Sequence, residues 1–275
     1  MRYIDMHTHT TASDGVLSPK EIIDYAIEKE LQGIAITDHD TVAGIAEAIA
    51  YGDSKEDFLV IPGIELSTDH EGEEIHILGY MIDYKDKDFL NLLNLLKNER
   101  RERAIKIIKK LNALGFTMTF EEVKKLTEDG NIGRPHIAKV MIEKGYVSNV
   151  KLAFEKYLNK DGPAFVPRYK ITPAEAIKEI KRVGGYAVVA HPGLIRYNHT
   201  LQQIIEAGID GIEVFHPDNS DTKYDYYMGL AEKNGLFITG GSDFHHPPAR
   251  ETHHGDLGCV RVPTDYIEVM LHEQK

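Results

Sequence analysis

The sequence predicts an α/β fold of repeated βα units, with the strands lining a barrel or a highly curved sheet. Three observations predict it. Seven short, apolar, β-rich runs recur along the 275 residues, at Tyr3 to Met6, Gly33 to Thr37, Phe58 to Glu65, Ile75 to Tyr80, Tyr186 to Ala190, Gly211 to Phe215 and Leu236 to Thr239. Helical patterns between them open on capping signals, Ser18-Pro19 with Glu21 and Thr172-Pro173 with Glu175. From 86 to 161 the alternation stops and the pattern is helical, with apolar positions at Leu92, Leu96, Ile107, Ile108, Leu111 and Leu114 and later at Val140, Met141, Ala153, Phe154 and Tyr157. The economical organisation is a barrel from residues 1–85 and 162–275, with 86–161 inserted as a helical subdomain covering its rim.

Composition narrows the chemistry. The formal charge of −12 argues against a large basic nucleic-acid-binding face. The balance is locally reversed between Lys97 and Lys110, where seven Lys and Arg stand against Glu99 and Glu102; a solvated helix face with a Glu99–Arg103 pair accounts for it. Cys259 is the single cysteine, which excludes an intramolecular disulfide and a thiolate-rich zinc site and fits a reducing compartment. No apolar run approaches a membrane span and no secretory signal opens the chain, so a cytoplasmic location is expected, with no membrane partner.

Histidines and carboxylates cluster where the predicted strands end. His7, His9 and Asp14 follow the first run, His39 the second, and Glu65 ends the third; His191 follows "YAVVA", and Asp243 and His245 lie in "GSDFH". In α/β barrels catalytic residues converge on the C-terminal rim of the strands. His76, inside the apolar "EIHILGY", fits least by position, but a metal would supply the partner a buried histidine needs. His-x-His places two rings on one side of an extended backbone, so His7 and His9 can reach one point.

The ordered set "DMHTHTTASDG", "ITDHDT", "GIEL", "HILGY", "AHPG" and "GSDFH" resembles the PHP family, the polymerase and histidinol phosphatase superfamily, along nearly the whole chain. Within it, "NIGRPHIA", "FVPRYKITPAEAI" and the helical insertion are similar to the branch of 3′,5′-bisphosphate nucleotide phosphatases and 5′ to 3′ exoribonucleases. The resemblance implies a distorted (β/α)7 barrel holding three metal ions. It assigns His7, His9, Glu65 and Asp243 to the first, a bridging Glu65 with His76 and His191 to the second, and Asp14, His39 and His245 to the third. His7, His9, Glu65, His191 and Asp243 would carry the catalytic centre.

Imidazole and carboxylate without thiolate suit Mn²⁺, Fe²⁺ or Zn²⁺. Three such ions outweigh the charge of Asp14, Glu65 and Asp243, so phosphate is the natural guest, and a metal-activated hydroxide is the expected nucleophile. Asp5, Asp38 and Asp40 stand beside ligand histidines and are candidates to orient the rings, the alternative being plain surface carboxylates. The general acid is unassigned by the sequence; His216 and His199 are candidates, the alternative for each being a surface histidine. Arg134 in "GRPH" is the candidate for a second phosphate, because a guanidinium grips phosphate bidentately; its alternative is a helix-start salt bridge. His136, Lys170 and Arg168 are lesser candidates for the same pocket.

The expected activity is hydrolysis of 3′,5′-bisphosphate nucleotides or of short 5′-phosphorylated RNA or DNA from the 5′ end, with no obligatory protein partner. Two alternatives stand beside it. One is a histidinol-phosphate-type small-molecule phosphatase; the other is a non-catalytic metal-binding module.

Overall fold

The computed structural model describes residues 2–127, 132–167, 170–219, 221–247, 255–268 and 270. Along the chain run β1 (Tyr3–Thr8), α1 (Pro19–Glu28), β2 (Gly33–Ile36), α2 (Ile45–Gly52), β3 (Leu59–His70) and β4 (Glu73–Tyr80). Helices α3 (Lys87–Ala113), α4 (Phe120–Lys124), α5 (Arg134–Glu143) and α6 (Val150–Ala153) follow, the last continuing into a π-helical turn at Phe154–Leu158. The chain then returns through α7 (Pro173–Arg182), β5 (Tyr186–Val189), α8 (Asn198–Glu206), β6 (Gly211–Phe215), α9 (Asp221–Asn234), β7 (Phe237–Gly240) and β8 (Val262–Pro263).

The strands lie in the order β7-β6-β5-β4-β3-β2-β1-β8. β1, β2 and β3 pair in parallel, as do β5, β6 and β7, while β4 runs antiparallel to both β3 and β5. Past β7, Phe244 pairs with Thr8 at the end of β1, so the sheet curls into a nearly closed barrel. Two features differ from a plain repeat of seven βα units. β3 and β4 form a hairpin whose tip is only Glu71-Gly72, too short for a crossover helix, and β8 adds a two-residue antiparallel pairing outside β1.

Period-two alternation explains how the strands serve both a core and a site. Ile34 and Ile36 of β2, Ile64 and Leu66 of β3, and Ile212 and Val214 of β6 pack in one apolar cluster with Ile22, Ile23 and Ile45 of the covering helices. The intervening Glu65 and Glu213 emerge on the opposite face. Helix starts follow the capping signals: Ser18 and Glu21, and Thr172 and Glu175, each exchange reciprocal side-chain-to-backbone hydrogen bonds.

Between β4 and β5 the described residues form helices with an apolar cluster of their own, including Ile107, Leu111, Val123, Ile137 and Met141. It is tied to the barrel by the first half of α3, whose Phe89, Leu93 and Leu96 pack in the barrel's core, and by Arg100. The expected solvated face of α3 is interrupted there, because Arg100 is 9% exposed and its guanidinium pairs with Asp40, with Nε at 2.8 Å from Oδ2. Arg100 Nη2 also donates to Ser67 Oγ at 3.1 Å. Arg103 donates to the Val166 carbonyl at 2.8 Å. No helix among the described residues is long and apolar enough to cross a membrane.

Candidate metal centre

His7 is the last but one residue of β1, and His9 and Asp14 lie in the loop after it. His39 follows β2, Glu65 lies within β3, His191 follows β5, and Asp243 and His245 follow β7. His76 reaches the same rim for a different reason: β4 runs backwards, and Ser67 pairs with His76, so the early part of β4 lies beside the late part of β3. Its awkward position in the sequence is resolved by the hairpin.

Glu65 is the centre of the cluster. Its Oε2 lies 3.4 Å from His7 Nε2, 3.3 Å from His9 Nε2 and 2.9 Å from His39 Nδ1. Its Oε1 lies 2.8 Å from His76 Nδ1 and 3.1 Å from His191 Nε2. Asp243 Oδ1 stands 3.0 Å from His9 Nε2 and 3.4 Å from His7 Nε2, and His245 Nε2 stands 3.4 Å from Asp14 Oδ1. All nine sequence candidates are therefore in one place. Their donor atoms converge in three groups: His7, His9, Glu65 and Asp243; His9, Asp14, His39 and His245; and His39, Glu65 and His76. His39 reaches toward two of the groups, while His191 touches Glu65.

These residues fit a metal centre. His7 Nε2, His9 Nε2, Asp14 Oδ1 and Glu65 Oε2 are buried yet make no hydrogen bond of good geometry. A buried polar atom without such a partner is costly, so convergence of several on one spot calls for a cation. The electrostatics agree. Burial works to raise the Glu65 carboxyl, but His39, His76 and His7 beside it hold it well below the usual range. Burial and the neighbouring His245 and His39 lower His9 to about 3, so its ring is a neutral donor. Burial opposes charge on His245 as well, yet Asp14 and Asp243 push it up to about 9.

The supporting shell differs from the expected one. Asp5, Asp38 and Asp40 hold backbone and loops. Asp5 accepts from the N–H groups of His7, Ser242 and Gly258 at 3.2, 2.9 and 3.0 Å. Asp38 accepts from Thr10 N–H and from the Thr10 and Ser13 hydroxyls. Asp40 accepts from Ser67 N–H and Arg100. The ring of His7 is oriented instead by Glu213, whose Oε1 is 2.9 Å from His7 Nδ1, and Glu213 Oε2 also accepts from His191 N–H at 2.6 Å. Sequence reasoning passed over Glu213; the signal available was a glutamate alternating with Ile212 and Val214 in an apolar strand.

Backbone geometry is strained at the same rim. Asp40, His191 and Asp243 have φ of 50°, 28° and 51°. At Gly241 an added Cβ would lie 2.3 Å from His7 N, so the close approach of the β7 loop to β1 requires glycine.

Of the two general-acid candidates, His216 lies at the site, with Nε2 3.7 Å from Asp243 Oδ2 and Nδ1 accepting from Asp218 N–H. His199 is exposed on α8 and stacks on Tyr197. Arg134 opens α5, its guanidinium 5.2 Å over the Phe154 ring and its Nη2 3.3 Å from Glu74 Oε2. Lys170 Nζ lies 2.7 Å from Glu74 Oε1, so these two candidates share a partner. His136 is buried on the rim beside Ser13 and Asp14. Its Nδ1 accepts from Gly133 N–H at 3.0 Å, and burial lowers it to about 4 although Asp14 opposes this. Arg168 lies outside the described residues.

A family model described as "PHP domain" matches residues 5–220. The chain is 36% identical over 251 residues to the 5′-3′ exoribonuclease Rnm of Escherichia coli, covering 88% of this chain and 85% of that one. It is 32% identical over 253 residues to a 3′,5′-nucleoside bisphosphate phosphatase of Chromobacterium violaceum, covering 90% and 88%. A solved Bifidobacterium adolescentis structure assigned to the metal-dependent phosphoesterases superposes with a TM-score of 0.88 at 28% identity, covering 98% of this chain and 95% of that one.

Proposed function

The chain belongs to the PHP domain family and is a metal-dependent phosphoesterase, and we propose that it hydrolyses 3′,5′-bisphosphate nucleotides and 5′-phosphorylated oligoribonucleotides from the 5′ end. The observation that carries this reading is the neighbourhood of the Glu65-centred cluster, which would attract phosphate once it holds cations, and the Arg134–Lys170 pair joined to it through Glu74 and His76. One phosphate at the cluster and one at the pair describe both a 3′,5′-bisphosphate nucleotide and the 5′ end of a phosphorylated strand.

His7, His9, Glu65 and Asp243 would hold one divalent ion; Glu65, His76 and His191 a second; Asp14, His39 and His245 a third. The imidazole and carboxylate donors suit Mn²⁺, Fe²⁺ or Zn²⁺. When bound, such ions acidify water and draw charge from phosphoryl oxygens. The chain's own residues do the rest. Glu213 fixes the His7 ring and the His191 backbone, so the ligand shell is set before substrate arrives. Arg134 and Lys170 hold the 5′-phosphate and thereby present the next phosphorus to the cluster. Water oxygen joins that phosphorus, the bond to the 3′ oxygen breaks, and the leaving 3′ oxygen takes up a proton. His216, beside Asp243, is the histidine placed to move that proton. In this reading the described residues between 86 and 161 roof the rim, docked through the Arg100–Asp40 contact.

The discriminating measurement is release of inorganic phosphate from adenosine 3′,5′-bisphosphate against histidinol phosphate, with Mn²⁺ supplied. Preference for the bisphosphate supports this reading. Preference for histidinol phosphate overturns it in favour of a small-molecule phosphatase, and no turnover of either points to a binding module.

A further inference from the structure

Glu74 stands two residues before His76 on β4, so both side chains leave the same face of the strand. Its Oε1 lies 2.7 Å from Lys170 Nζ and 3.5 Å from His76 Nε2, and its Oε2 lies 3.3 Å from Arg134 Nη2. A carboxylate with both oxygens on cations is an anion seated where the second phosphate is read to bind. The Glu74 side chain is 41% exposed, so it can leave that seat without unpacking the core.

We propose that Glu74 is a built-in competitor for this seat and sets a charge threshold: a terminal phosphate monoester displaces it, and an internal phosphodiester does not. The inference rests on the reading of Arg134 and Lys170 given above. A phosphate monoester brings nearly two negative charges and three acceptor oxygens at neutral pH. A phosphodiester brings one charge and two free oxygens, the same as Glu74 itself. Exchange of Glu74 for a diester therefore gains no charge, and Glu74 keeps the advantage of being tethered to the site. Only the first nucleotide of a strand then places its neighbouring phosphorus at the cluster. Selectivity for the 5′ end arises from charge at the seat.

The test compares wild type, Glu74→Gln, Arg134→Ala and the double variant on RNA pentamers carrying a 5′-phosphate or a 5′-hydroxyl, with first products resolved by chromatography and metal content measured on each protein. Glu74→Gln is expected to raise the rate on the 5′-hydroxyl pentamer about tenfold or more without lowering the rate on the 5′-phosphate pentamer. The first product from the 5′-hydroxyl strand should be a dinucleotide, because the first diester now occupies the seat while the second is cut, leaving a 5′-phosphorylated trimer. The gain should vanish in the double variant. By calorimetry, adenosine 5′-monophosphate should bind Glu74→Gln several-fold more tightly than wild type. Equal or lower rates on both strands in Glu74→Gln, a mononucleotide as the first new product, or loss of metal would each overturn the role of Glu74. A wild type that cleaves neither pentamer nor adenosine 3′,5′-bisphosphate would instead overturn the underlying functional reading.

Discussion

At the scale of single residues, the site is organised around one carboxylate. Glu65 lies within 3.4 Å of five histidines, counting His7, His9, His39, His76 and His191, and Asp243 closes the same shell. Because these donors are buried and converge, conservative changes should act on catalysis before they act on folding. Asp243→Asn or His191→Ala is expected to abolish turnover with the circular dichroism spectrum unchanged, and elemental analysis of each variant will show whether an ion is lost with the ligand. Near wild-type kcat in either would refute the assigned centre. Arg134 acts on substrate alone in this scheme. Losing a charge-assisted contact costs about 1.5–3 kcal/mol, so Arg134→Ala should lower kcat/KM about ten- to hundredfold on 5′-phosphorylated strands. On 5′-hydroxyl strands the variant and wild type should be similarly slow.

At the scale of elements, the reversal of β4 and the docking of α3 and α5 decide what stands on the rim. Arg100 of α3 and Asp40 after β2 form a buried pair, and removing one partner of such a pair leaves an uncompensated charge at a cost of about 3–5 kcal/mol. Arg100→Met should lose that much stability in urea unfolding, and adding Asp40→Asn should restore part of it by removing the stranded charge. His136 of α5 makes a pH-dependent tie. Its folded value near 4 is below the ordinary 6.5, so between those values the unfolded chain takes up a proton that the folded chain refuses. The stability it protects is complete above pH 6.5 and is lost as the pH falls toward 4. With metal chelated, Tm of wild type should drop more between pH 7 and pH 4.5 than Tm of His136→Gln, which keeps the capping acceptor and cannot charge. Parallel Tm profiles would remove His136 from this role.

At the scale of the whole molecule, a chain of formal charge −12 gathers His7, His9, His39, His76, His191, His216 and His245 with several carboxylates at one end of a nearly closed barrel. Ions that bind only the folded cluster stabilise the fold by mass action, so chelation should lower Tm and added Mn²⁺ or Zn²⁺ should raise it in a concentration-dependent way. A Tm indifferent to chelator, in protein shown to contain no transition metal, would end the metalloenzyme reading. The same experiment on Asp243→Asn should show a smaller shift, since that variant lacks one donor to the cluster.

Much of this was legible in the sequence, because strands advertise themselves locally. Short β-rich runs, Ser18-x-x-Glu21 and Thr172-x-x-Glu175 caps, and ligand residues at strand ends depend on periods of two and on single turns of helix, all readable within a few residues. Eight of the nine candidate donors stand at or just past strand ends for the same reason; His76 does not, and it joined the set through the family resemblance. What only the tertiary structure decided involves partners far apart in the chain. That β4 runs backwards, carrying His76 to the rim, depends on a two-residue hairpin between extended runs. That Glu213 orients His7 across 206 positions, that Arg100 is buried on Asp40, and that Glu74 sits between Arg134 and Lys170 depend on packing of elements whose separations carry no local signature. A side chain's own type states what it can bind; closure of the barrel and docking of the helices state which atom it meets.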